Sequence, residues 1–224
     1  RLRIAFTTAA PSGAKIDQEC VRAVHDAAKL CESLGHSVEE AAPEINGALM
    51  VDSFLTVWRA GTASTIRGMA FLTGRTPAPE FFEPLTWALY EQGQQVSAPT
   101  YLMAHTVLQG IARQIAHFML PYDVWLTPTL AEPPLPLGSF DPAPGNPLAG
   151  FERAVEFVPF TPLCNLSGQP AMSLPLYWTD GGLPVGTHFI GRFGDEATLF
   201  RLASQIEAAR PWKDRQPPVF AAKA

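Results

Sequence analysis

The sequence predicts an α/β fold, part of a large mixed β-sheet covered by helices. Three observations carry this. Short apolar runs such as Val124-Trp125-Leu126 read as strands buried on both faces. Amphipathic stretches at helical spacing separate them. A Thr179-Asp180-Gly181-Gly182 turn joins the last two runs into a pair of strands.

Taken in order, residues 2–8 form a first strand and Pro11-Ser12-Gly13 a loop. Asp17 suits a helix N-cap, because its carboxylate can accept an orphan backbone N–H. Cys20, Val21, Val24, Ala27, Ala28, Cys31 and Leu34 then recur at helical spacing, and Gly35 ends the helix. Residues 36–40 form a second strand, which completes a β-α-β unit and implies parallel neighbours. Residues 45–73 read as helical, with Leu49, Phe54, Val57, Trp58 and Ile66 facing inward. A linker over 73–79 leads to a shorter helix, 81–92, with Pro84 in its first turn.

Ser97 caps the next helix, and its inner stripe is Leu102, His105, Leu108, Ala112, Ile115 and Phe118/Met119. Pro121 stops it. Residues 122–127 are the doubly buried strand, and 127–147 a long Pro- and Gly-rich loop. Residues 160–168 are a helix or irregular turn. The paired strands are 171–176 and 185–190. Asp195 caps a last helix with Leu199, Ala203 and Ile206 inward, and Pro211 ends it. The tail beyond Trp212 is expected to be loose. No internal repeat or composition break divides the chain.

The chain has 224 residues, of which 47% are hydrophobic, enough for one substantial core. Its 17% of charged residues falls below the usual share of roughly one quarter. The net charge of −5 comes without a basic stripe, which argues against nucleic acid as a partner. No apolar run approaches the roughly 18 residues of a spanning helix, so a membrane is not expected either. Cys20, Cys31 and Cys164 show neither disulfide nor zinc spacing. A reducing, cytoplasmic location is expected, with no metal and no cofactor. The chain begins at Arg1 with no initiator Met and enters an apolar stretch at once. A trimmed or processed start is one reading; a start inside a longer gene product is the one we favour.

Self-contained catalytic sets are missing from the pattern: there is no Gly-x-Ser-x-Gly elbow, no His-Glu-x-x-His and no phosphate-binding loop. Cys164 and His188 are the one thiol–imidazole pair worth naming, and their spacing neither supports nor forbids a meeting. The second half carries four motifs in register. Tyr122-Asp123-Val124-Trp125-Leu126-Thr127-Pro128-Thr129 precedes the Pro-rich loop. Phe160-Thr161-Pro162-Leu163-Cys164-Asn165-Leu166-Ser167-Gly168-Gln169-Pro170-Ala171 leads into Ser173-Leu174-Pro175. Gly182-Leu183-Pro184-Val185-Gly186-Thr187-His188-Phe189-Ile190-Gly191 follows the turn, and the Asp195-capped helix closes the order. As local chemistry these motifs read as scaffold. Asn165 can hold backbone groups in an irregular turn, Gly168 suits a left-handed residue, and Pro170 starts a strand rigidly. Gly186 and Gly191 allow close approach of strands.

In order and spacing the series resembles the C-terminal half of amidase-signature enzymes, over nearly the whole chain and most specifically over 122–210. The opening half is also similar to amidases that act on linear or cyclic oligoamides, such as the 6-aminohexanoate cyclic dimer. The resemblance implies that residues 1–224 are the C-terminal part of a single domain whose catalytic N-terminal part is absent. That part would be the chief partner, alongside a small-molecule amide; a homo-oligomer stays open. The family hydrolyses C–N amide bonds with a Ser nucleophile, a second Ser in a cis peptide and a Lys base. Ser12, Ser64 and Ser167 do not sit in such a Gly/Ser-rich segment, and Lys15 and Lys29 lie in a loop and on a helix face, so no catalytic residue is carried over.

The resemblance also places substrate-wall residues here: Val158, Phe160, Trp58 and Asn165. In glutamine-using members an Asp seven residues before the Asn binds the substrate amine. Here that position is Val158, flanked by Phe157, Pro159 and Phe160, so an apolar acyl or aryl amide is favoured over a glutaminyl one. The alternative is a non-catalytic binding or structural module that reuses the scaffold.

Overall fold

Local capping chemistry sets the helix starts. In the computed structural model, which describes residues 1–217 and 219–220, Asp17 accepts from the Glu19 N–H and opens α1 (Gln18–Ser33). Asn46 does the same for α2 (Gly47–Thr73), Ser97 for α4 (Ala98–Phe118) and Asp195 for α7 (Glu196–Ala209). Pro84 stands at the start of α3 (Pro84–Gln94), where a missing N–H costs little. A 3₁₀ turn over Pro79–Phe81 precedes it.

Five strands form one mixed sheet: β1 (Arg3–Phe6), β2 (Ser37–Glu40), β3 (Val124–Pro128), β4 (Ala171–Trp178) and β5 (Pro184–Gly191), in the order β2-β1-β3-β5-β4. β1 runs parallel to β2 and to β3, whereas β5 is antiparallel to both β3 and β4. The expected β-α-β unit and hairpin are therefore both present, fused through β3.

Every residue of β3 is buried. Val124 and Leu126 join the core under α1 and α7, with Val24, Phe189 and Leu202. Trp125 faces the other layer, with Met50 of α2, Ile115 of α4 and Leu163 of α6 (Thr161–Ser167). Burial of such side chains stabilises by about 1.5–3 kcal/mol each. His36 pins the unit's edge: its Nδ1 accepts from the Leu2 N–H, and its Nε2 lies 3.1 Å from Gln205 Oε1 of α7. With Nδ1 accepting, Nε2 donates to the glutamine.

Several expectations need correction. A helix, α5 (Ala149–Phe157), fills a segment with no expected element. On α2, Leu49 and Trp58 are exposed, and the buried residues are Met50, Ser53, Ala63 and Ile66. On α4, Leu102 and His105 face solvent, and the stripe is Ala104, Ile111, Ile115 and then Met119. Arg215 stacks over Trp178 at 4.0 Å, so the tail is held that far; Pro218 and residues 221–224 lie outside the described residues.

α2 and α3 cross at backbone contact. A Cβ on Gly93 would lie 2.0 Å from the Arg59 carbonyl oxygen and 2.9 Å from Ala63 Cβ. Gly93→Ala should therefore lower stability by about 1–3 kcal/mol, because overpacking outweighs the ~1 kcal/mol that alanine gains in helix propensity. A urea unfolding midpoint checks this, and an unchanged or raised midpoint would contradict the crossing.

Candidate functional site

The longest helix and the segment after the Pro-rich loop build a cavity of about 400 Å³ between α2, α5 and α6. α2 supplies Phe54 and Trp58, α5 supplies Phe151 and Val155, and Val158 follows as the α5 C-cap. The aromatics form a continuous wall: the ring centroids of Phe54 and Trp58 are 5.7 Å apart, and those of Trp58 and Phe151 are 5.9 Å apart. Ser12, Thr161 and Asn165 are the polar members of the lining, and no charged side chain takes part among the described residues. Such a space takes apolar groups and gives an ammonium no counter-charge.

Three of the four expected wall residues meet here. Trp58 and Asn165 also line an adjoining cavity of about 260 Å³ with Val57, His105 and Gln109, so they divide the two spaces. Asn165 sits in a regular helix, not an irregular turn, and its side chain has no hydrogen bond among the described residues. Gly168 ends that helix in the left-handed conformation expected of it, at φ 71°. Phe160 is fully buried and stays out of the cavity lining, because the residue that begins α6 turns its ring inward. Phe151, Val155 and Leu55 were missed. Phe151, Ala154, Val155 and Val158 do recur at helical spacing, but the signal is one short helix long and abuts the Pro-rich loop.

The structure also brings Cys164 and His188 together, with Sγ 3.9 Å from Nε2. Thr127 fixes the ring: its hydroxyl donates to the Pro128 carbonyl, 3.0 Å away, and lies 3.1 Å from His188 Nδ1. Since that hydroxyl proton is committed, Nδ1–H donates to Thr127 and Nε2 accepts from the thiol. Burial pushes the Cys164 thiol up to about 11 and the His188 imidazole down to about 4. A nucleophilic thiolate–imidazolium pair needs the opposite shifts. Cys20 and Cys31 are pushed to about 12, first by burial, and all three cysteines are free. No group of three His, Cys, Asp or Glu side chains suited to a metal occurs among the described residues.

The framework is a five-stranded mixed sheet with an apolar cavity over one layer. The family model described as Amidase matches residues 1–200, and the chain belongs to that family. The putative amidase AmiC of Mycobacterium leprae is 34% identical over 218 residues, which cover 95% of this chain and 44% of that protein. The 6-aminohexanoate-cyclic-dimer hydrolase of a Pseudomonas species is 30% identical, covering 98% of this chain and 46% of its own length. A solved structure of a 6-aminohexanoate cyclic dimer hydrolase superposes with a TM-score of 0.85 at 28% identity, covering 97% of this chain and 47% of that one. The chain thus spans about half the length of the relatives it matches. Among the described residues, no helix is long and apolar enough to cross a membrane.

The two buried imidazoles make stability fall in acid. Burial is the first cause of the lowered pKa of both His36 and His188. An unfolded histidine titrates near 6.5, so below that pH the unfolded chain binds protons that the folded chain refuses. Stability is complete above about pH 6.5 and declines as pH falls toward 4, by up to about 3 kcal/mol for His188. Unfolding midpoints measured from pH 7.5 to 4.5 should drop in the wild type and drop less in His188→Gln. Parallel curves would show that His188 is not the titrating group.

Proposed function

We propose that the protein hydrolyses a C–N amide bond, and that these residues form the substrate-binding half of the enzyme. The observation that carries the reading is the uncharged aromatic cavity bounded by Phe54, Trp58, Phe151 and Val158. It supports an apolar acyl or aryl amide as substrate. The sequence and solved-structure likenesses to a hydrolase named for a cyclic oligoamide point the same way.

In this reading the Ser–cis-Ser–Lys set lies outside these residues, in the N-terminal part of the same domain. The nucleophilic serine adds to the amide carbonyl while its proton passes through the second serine to the lysine. The C–N bond breaks as the amine takes up that proton, and water then cleaves the acyl-serine to a carboxylic acid. What this half contributes is position: the aromatic wall holds the apolar part of the substrate and excludes water beside it.

The sheet's two edges suggest where the other part joins. β2 is four residues long and ends in Glu39 and Glu40, features that blunt an edge. β4 has eight residues and no charge, with Ala171 and Ser173 exposed, and Pro175 is the sole interruption of its backbone donors. We place the missing partner on β4. The 224-residue chain on its own should accordingly bind a hydrophobic dye such as ANS, associate in solution and turn over no simple anilide. A monomeric, thermally robust, dye-negative chain would favour an autonomous binding module instead.

The wall itself is testable in the whole protein. Trp58→Ala should raise KM for an apolar anilide about tenfold, the equivalent of roughly 1.4 kcal/mol, with a smaller effect on kcat. Val158→Asp should weaken apolar amides and improve amides that carry a free amine. An unchanged KM in both variants would remove the cavity from the substrate path.

A further inference from the structure

α2 carries two arginines, Arg59 and Arg67, for which its own helix provides no partner; Arg67 is exposed, whereas Arg59 is partly buried. Arg59 has Leu55, Thr56, Thr62 and Ala63 at the positions three and four residues away, so no carboxylate can reach it along α2. Neighbouring helices do not supply one either: among the described residues Arg59 takes part in no ion pair. Its Nε is buried and lacks a hydrogen-bond partner, as does Oε1 of Gln92 on α3. A half-buried charge and two buried polar atoms without a protein partner call for ordered water or a bound ligand.

The Gly93 crossing fixes the backbones from which these two side chains start. It holds α3 against the backbone of α2 at Arg59, and Arg59 and Gln92 line the same space. The two side chains border a cavity of about 340 Å³ that Thr56, Gln95, Val96 and Thr100 complete. Two helix ends of opposite polarity meet around it. The carbonyls of Gln92 and Gly93, at the α3 C-terminus, are already taken by the N–H groups of Gln95 and Val96, at 3.1 and 3.2 Å. The 21-residue helix α4 begins at the same place, presenting its positive end.

We propose that this junction of α2, α3 and α4 binds a small carboxylate, held by Arg59. The guanidinium offers Nε–H and an Nη–H in the planar fork that matches two carboxylate oxygens. Gln92 contributes an N–H once its amide is turned over, an exchange that leaves its shape unchanged. The site is separate from the aromatic cavity and does not depend on the substrate reading above. Arg59 follows Trp58 on the helix, but Thr56 and Arg59 line this space and not the aromatic cavity.

The test follows the Arg59 Nε–H resonance of the whole protein, assigned by its loss in Arg59→Lys. Sodium acetate and inorganic phosphate are titrated against chloride at constant ionic strength, with thermal midpoints in parallel. Acetate should shift the resonance saturably in the millimolar range and raise the midpoint. Arg59→Met should lose the midpoint response. Gln92→Glu, which builds a carboxylate into the site, should raise the midpoint without added acetate and remove any further effect of it. A linear, unsaturating response to acetate would overturn the proposal, as would an equal rise in Arg59→Met. A stronger saturable response to phosphate than to acetate would overturn the carboxylate assignment. Should Arg59→Met fail to fold, the wild-type resonance and the Gln92→Glu midpoint still decide the matter.

Discussion

Burial of β3 from both sides is the constraint around which the other elements are arranged. Val124, Trp125, Leu126 and Thr127 expose none of their surface. One strand cannot supply that cover by itself, so both layers are required: α1 and α7 on one face, α2, α4 and α6 on the other. The same strand accepts a parallel neighbour on one side and an antiparallel one on the other. That junction joins the β-α-β unit to the hairpin, and without it the two would be separate fragments. The strand's start is tied electrostatically as well, since Asp123 accepts from the Arg3 backbone and side chain and pairs with Arg192 at 3.1 Å. Burial alone would raise the Asp123 pKa, but its contacts with Arg3 and the charge of Arg192 outweigh that and hold it low.

The cavity follows from the same layering. α2 is 27 residues long, and its first half packs on the sheet through Met50 while Phe54 and Trp58 stand clear of the core. α5 and α6 close over those aromatics from the far side, because the segment between them turns Phe160 into the core and leaves Val158 facing the space. Trp58 is thus exposed in the sense of solvent contact yet enclosed by Phe54 and Phe151. An inward-facing stripe and a cavity wall are both apolar, and on α2 they occupy adjacent faces of one helix.

That adjacency explains what could be read from residues alone. Caps were legible because their chemistry is local: Asp17, Ser97 and Asp195 each satisfy an N–H two or three residues away. β3 was legible because a doubly buried run has no polar alternation to misread. The phase of α4 was not, since Leu102 and Met103 are apolar yet point outward, and choosing Leu102 over Ala104 rotates the first two turns. Apolar character marks a candidate face, and only packing partners choose between candidates. At the cavity, Val158 and Asn165 came from the family likeness and Trp58 from the apolar pattern of α2, and the three converge in space, whereas Phe151 needed a helix that the adjacent prolines and glycines conceal.

Cys164 and His188 show how little residue identity decides without environment. They meet across α6 and β5 with a third residue, Thr127, orienting the ring, which is the outline of a nucleophile, a base and its support. Burial inverts their chemistry: it keeps the thiol protonated and the imidazole neutral, so the contact is a weak S–H···N bond inside the sheet layer. Ser173 and Thr129 likewise bond to each other, 2.8 Å apart, over Gly186, where a Cβ would lie 2.4 Å from the Ser173 hydroxyl. These hydroxyl, thiol and imidazole groups satisfy one another, and the 400 Å³ cavity is lined mainly by aromatic and aliphatic side chains. These elements thus present apolar surface to the cavity and keep the hydroxyl, thiol and imidazole groups occupied with one another.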